Sequence, residues 1–72
     1  MKIFPKQTRI EHLLADIQDL GYYAEQDDDD MISIDVTDHE HLAYGVYNEI
    51  AALGYDISLE YVDDGFMWIK VY

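Results

Sequence analysis

Ile57-Ser58-Leu59-Glu60-Tyr61-Val62-Asp63-Asp64-Gly65-Phe66-Met67-Trp68-Ile69-Lys70-Val71 decides how this chain folds. Ile57, Leu59 and Tyr61 alternate with Asp56, Ser58 and Glu60, and Met67, Ile69 and Val71 alternate with Phe66, Trp68 and Lys70. A period of two marks half-buried strands, so the stretch predicts a β-hairpin. Loop length then decides which residues share a face. A two-residue loop at Asp64-Gly65 pairs Tyr61 with Trp68 and Leu59 with Lys70, mixing core with charge. A three-residue loop, Asp63-Asp64-Gly65, pairs Leu59 with Ile69 and Tyr61 with Met67, which makes one apolar face. It also puts Gly65 where a type I turn plus bulge needs a left-handed residue. The parity therefore predicts the three-residue loop, with Trp68 outward.

Upstream, a weaker hairpin runs from Tyr22 to Gln26, through an acidic turn over Asp27 to Asp30, and back along Met31 to Val36 with Ile32, Ile34 and Val36 inward. Four consecutive Asp disfavour strand and favour a solvated tip. Each hairpin follows a helical stripe. Thr8-Arg9-Ile10-Glu11 reads as a capping box, followed by Ile10, Leu13, Leu14, Ile17 and Leu20 at helical spacing and a stop at Gly21. Thr37-Asp38-His39-Glu40 repeats the grammar, with Leu42, Val46, Ile50 and Leu53 as the stripe and Gly54 as the stop. An internal αββ duplication, residues 8–36 and 37–72, and convergence on shared capping rules both account for this. The expected fold is α+β: a single two-layer domain over 1–72, αββαββ, with a four-stranded antiparallel sheet and both helices on one face. Lys2 to Phe4 leaves room for a short extra strand.

The charge pattern is more specific than the fold. From Ile10 to Ile69 there is no Lys or Arg, and all sixteen carboxylates lie in that stretch, for a net charge of −12 on 72 residues. This exceeds what solubility needs, and it weakens the compact state by self-repulsion. Anionic membranes and nucleic acid would both be repelled, so direct binding to either is not expected. A basic partner is. A chain of this length has a diameter of roughly 28 Å, over which duplex DNA presents roughly 16 phosphates. Acidity as a habitat adaptation is the plainer alternative. Disorder is not expected, since 50% of residues are hydrophobic. With no Cys, disulfides and thiolate metal sites are excluded, and a reducing cytoplasm is the expected compartment. Neither a secretory leader nor an apolar run of roughly 20 residues is present in these 72 residues.

No constellation assembles a reaction centre. Glu25, Asp27, Asp28, Asp29 and Asp30 are the densest charge, but a calcium loop counted from Asp27 puts Met31 fifth, Ile32 sixth and Asp38 twelfth. The EF-hand pattern needs an oxygen ligand, Gly and Glu there, so it fails. His39 and His41 lie about 200° apart on a helix and cannot chelate together. His12 and Asp16 read as a surface pair. No Ser or Thr sits in a nucleophile motif. No enzyme activity, cofactor or metal is expected. What remains are contact residues: the acidic tips Glu25 and Asp27 to Asp30, Asp63 and Asp64, with Asp56 and Glu60 beside the outward aromatics Phe66, Trp68 and Tyr72. Trp is the commonest interface anchor. Stacking on bases would need a basic surround, which is missing. Tyr44 is a lesser candidate of the same kind.

In size, charge and lack of catalytic motifs the chain resembles the small DNA-mimic inhibitors of phages and mobile elements, anti-restriction and anti-CRISPR proteins among them. The resemblance rests on no diagnostic motif. It implies stoichiometric inhibition in the host cytoplasm, with carboxylates occupying Lys/Arg sites that otherwise hold phosphates. Two alternatives remain: an immunity or antitoxin protein plugging the active site of one nuclease, and a non-inhibitory acidic adaptor.

Overall fold

A computed structural model describes residues 5–72, apart from the side chains of residues 39–41. The expectations for an extra strand at Lys2 to Phe4 and for the His39/His41 side chains lie outside the described residues. The element order is α1 (Lys6–Asp19), β1 (Tyr23–Asp28), β2 (Met31–Asp35), a 3₁₀ helix (Thr37–Leu42), α2 (Ala43–Ala51), β3 (Ile57–Asp63) and β4 (Phe66–Val71). The strands form one antiparallel sheet in the order β1-β2-β4-β3. Ile10, Leu13 and Ile17 of α1 and Ala43, Val46 and Ile50 of α2 close over Ile32, Ile34, Val36, Met67, Ile69 and Val71 in one core. This is the expected α+β, two-layer architecture.

The sheet order reads the same when the two αββ halves are exchanged. Corresponding bonds lock the hairpin tips: Val71 N–H donates to the Asp30 carbonyl and Val36 N–H to the Gly65 carbonyl, both at 2.7 Å.

The capping box at Thr8 does not form, and at Thr37 the cap amide bonds elsewhere. Helix α1 starts earlier, with Pro5 at its N-cap and the Pro5 carbonyl accepting from Arg9 N–H at 3.1 Å, so Thr8 lies inside the first turn. Proline has no N–H to satisfy and a preset φ, which suits it to a helix start. Thr37 instead donates its N–H and hydroxyl to Asp35 Oδ1, at 2.9 and 2.6 Å. Asp35 thus makes the turn, as Asp does by bonding backbone two residues on, and a 3₁₀ helix replaces the first α-turn. The second apolar stripe consequently begins at Ala43. Leu42 and Leu53 are 64% and 42% exposed. The glycine stops hold: Gly21 N–H bonds the Gln18 carbonyl and Tyr22 N–H the Ile17 carbonyl, the paired bonds of a left-handed helix end.

The second hairpin corrects the loop expectation. Asp64 and Gly65 form a two-residue turn, with φ of 54° and 80°, the mirror-image type that matches strand twist. Tyr61 pairs with Trp68, yet Leu59 still pairs with Ile69, because Glu60 is the extra residue of a bulge. The bulge absorbs one residue and restores the parity of the apolar face. Trp68 stays on the outer face, between buried Met67 and Ile69, and Tyr61 joins it there. In the first hairpin β1 reaches Asp28, with Asp27 in a bulge, so only Asp29 and Asp30 make the turn. Asp is tolerated here because an edge strand leaves its side chains in water.

One polar bond ties the two halves across the helix layer. Tyr55 Oη donates to Asp16 Oδ2 at 2.6 Å, and burial together with that carboxylate pushes the phenol up to about 12 from its ordinary 10.0. The folded state therefore holds this proton more tightly than the unfolded chain. The resulting stabilisation is intact below pH 10 and is lost as the pH climbs through 12. Urea melts of wild type and Tyr55→Phe should differ at neutral pH and converge across that window. A difference that stays constant to pH 12 would contradict the assignment.

Candidate functional site

Both helices lie on one side of the sheet, and no described element covers the other. Strand register sets out that open face in three rows. Tyr23, Asp35, Phe66 and Asp63 form the first row; Glu25, Ser33, Trp68 and Tyr61 the second; Asp28, Met31, Lys70 and Ser58 the third. Carboxylates dominate the β1 side and aromatics the β3–β4 side.

Cross-strand stacking fixes the aromatic half. Tyr61 and Trp68 stack with centroids 4.6 Å apart and planes 13° from parallel, and Phe66 lies 5.9 Å from Trp68. Trp68 Nε1 donates to Asp27 Oδ2 at 3.2 Å, across β2. The bulge at Asp27 thus brings a carboxylate to the indole edge. Trp68 is half-buried, while Tyr61 is 52% and Phe66 36% exposed. Tyr72 lies beside them, its hydroxyl 3.0 Å from Ser58 Oγ.

Electrostatics leave the face acidic. Arg9 Nη1 is engaged by the Tyr72 carbonyl at 2.6 Å. Lys70 Nζ lies 4.0 Å from Asp30 Oδ2 and 5.3 Å from the Tyr72 ring centroid. Hydrogen bonds from Thr37 hold the Asp35 carboxyl below its usual range. Tyr23 donates to Glu25, which raises the Tyr23 phenol. No acidic residue whose side chain is described is buried.

The predicted contact residues do not all meet. Glu25, Asp27, Asp28, Asp63, Phe66 and Trp68 share the open face. The two acidic tips, Asp29-Asp30 and Asp64, sit at opposite ends of it, because β2 and β4 are antiparallel. The five residues of β2 between them span about 17 Å. Asp56 is exposed beyond the face, its carbonyl accepting from Tyr72 N–H at 2.9 Å. Glu60 lies on the edge strand β3, where it lines a groove with α2. Tyr61, taken as core from parity, was missed as a face residue; Asp64-Gly65, a strong two-residue turn signal, pointed to it. Among the described residues no cluster of three or more His, Asp or Glu could hold a metal ion, and no helix is long and apolar enough to cross a membrane.

The molecule measures 40 × 21 × 17 Å. Duplex DNA presents about 24 phosphates over 40 Å, so the sixteen carboxylates are sparser than a one-for-one match. Repulsion among them is still large for this size, and screening relieves it within a Debye length of about 10 Å at 0.1 M salt. Raising NaCl from about 10 mM to about 150 mM should stabilise the fold by about 1 kcal/mol, or about 4–8 °C in Tm. Calorimetry decides this; a Tm that does not move would mean the carboxylates are locally compensated.

No protein-family model, no curated protein and no solved structure matches this chain.

Proposed function

We propose that this protein is an acidic, nucleic-acid-mimicking inhibitor of a basic DNA- or RNA-handling defence protein, of the anti-restriction or anti-CRISPR kind, acting in the host cytoplasm. The observation that carries the reading is the uncovered sheet face: a Trp68–Tyr61–Phe66 strip bordered by Glu25, Asp27, Asp35 and Asp63. Phosphate-binding Lys and Arg of the target would meet the carboxylates, and the aromatics would supply the desolvated anchor that holds most binding energy in small interfaces. With −12 net charge, long-range attraction speeds the encounter.

The test is competition. The protein is titrated into purified restriction or CRISPR effector complexes carrying labelled DNA, with anisotropy reporting release. Stoichiometric, salt-sensitive displacement is expected from the targeted complex. Neutralising Asp27 to Asp30 as Asn should slow association and flatten its salt dependence, because exposed charges act through steering. A ternary complex that keeps its nucleic acid would replace mimicry by allosteric inhibition or an adaptor role.

A further inference from the structure

The two halves of the molecule treat the junction between helix and edge strand differently. On the α1 side it is closed: Gln7 and Gln26 exchange amide bonds at 2.8 and 3.0 Å, and Gln18 Nε2 donates to the Ala24 carbonyl at 3.3 Å. On the α2 side, Tyr47 Oη bonds the Ile57 carbonyl at 3.1 Å, at the start of β3. Beyond that the layers part between the first turns of α2 and the second half of β3. From Glu60 onward β3 is exposed. The gap is a groove of about 530 Å³ between α2 and β3, within the size range of ligand sites.

Its lining is specific. Tyr44, Tyr47 and Tyr61 supply rings, Asn48 an amide and Glu60 a carboxylate, above an apolar floor that includes Leu59. Glu60 is the bulged residue of β3, and bulges characteristically re-aim a side chain. Among the described residues, none that lines it is basic. Rings attract a cation lying over their faces, and a carboxylate can bind both prongs of a planar guanidinium. A lysine ammonium gains less from the same set, being a compact, strongly hydrated point charge.

We propose that this groove is an arginine-binding site, taking a guanidinium from an extended segment of a basic partner protein. Charge complementarity selects the cation and the rings select arginine. The groove shares Tyr61 with the open sheet face but none of Trp68, Phe66 or the β1 carboxylates, and its failure would leave the competition experiment above untouched.

The test uses a capped pentapeptide with two arginines in a glycine background, and its lysine twin, titrated into the isotope-labelled protein and followed by NMR. The arginine peptide should bind about threefold to fivefold more tightly than the lysine peptide, shifting the rings of Tyr44 and Tyr47 and the Glu60 carboxylate. Tyr44→Ala with Glu60→Gln, both exposed positions, should abolish the preference while leaving the lysine affinity within about twofold. Should that pair perturb the melt, Glu60→Gln alone carries the same expectation at reduced size. Equal affinities for the two peptides would overturn the proposal. So would arginine shifts confined to Trp68 and Phe66.

Discussion

Ile34→Ala should destabilise the fold by about 2–5 kcal/mol, the range for removing a buried Ile side chain without collapse around it. Ile34 is fully buried and lies between Ala24 on β1 and Met67 on β4. The cavity therefore opens at the centre of the sheet, under both helices, where no flexible segment can fill it. Domains hold about 0.05–0.15 kcal/mol per residue, so a chain of 72 residues has about 4–11 kcal/mol in all, and its own charge works against it. At the middle of both ranges the substitution removes about half of the total stability. The matched control is Leu42→Ala, where the side chain is 64% exposed and the cost should stay within about 0.5 kcal/mol. Urea melts at fixed ionic strength measure both. Equal losses at the two positions would mean that the apolar stripe does start at Leu42.

Trp68→Ala should raise the rate of dissociation from the inhibited partner about 30-fold to several hundred-fold, as loss of a 2–4 kcal/mol anchor does. The association rate should change little, since the substitution leaves the charge untouched. Fold stability should fall more modestly: the lost stack on Tyr61 is worth about 0.5–1.5 kcal/mol, and the core residues Met67 and Ile69 face the other way. The contrast with Asp27 to Asp30→Asn is the diagnostic. One change acts on the off-rate and the other on the on-rate, and surface plasmon resonance separates them. An unchanged off-rate for Trp68→Ala would move the anchor elsewhere on the molecule.

Much of the fold was legible because it depends on periodicity. Ile32, Ile34 and Val36 alternate, Ile10, Leu13 and Ile17 recur at helical spacing, and Gly21 and Gly54 end their helices; each is a local pattern with one solution. Register was not local. Parity gave two answers for the second hairpin, and a bulge at Glu60 satisfied both, keeping Leu59 beside Ile69 and turning Tyr61 out to Trp68. Capping failed for a related reason. Pro5 and Asp35 offered competing bonds close by, and a box of four residues cannot rank itself against its neighbours.

The sequence by itself determined the acidity of this protein, its α+β class and the apolar residues of its strands, because charge and hydrophobic period are properties of the chain. Only the tertiary structure decided where that acidity meets aromatic surface. Antiparallel pairing of β2 with β4 sends the acidic tips to opposite ends of the sheet. Two bulges, each one residue, aim Asp27 at the Trp68 indole and leave Glu60 in the groove beneath α2. Bulges and strand order are settled by packing between segments far apart in the chain, where no local pattern can register them.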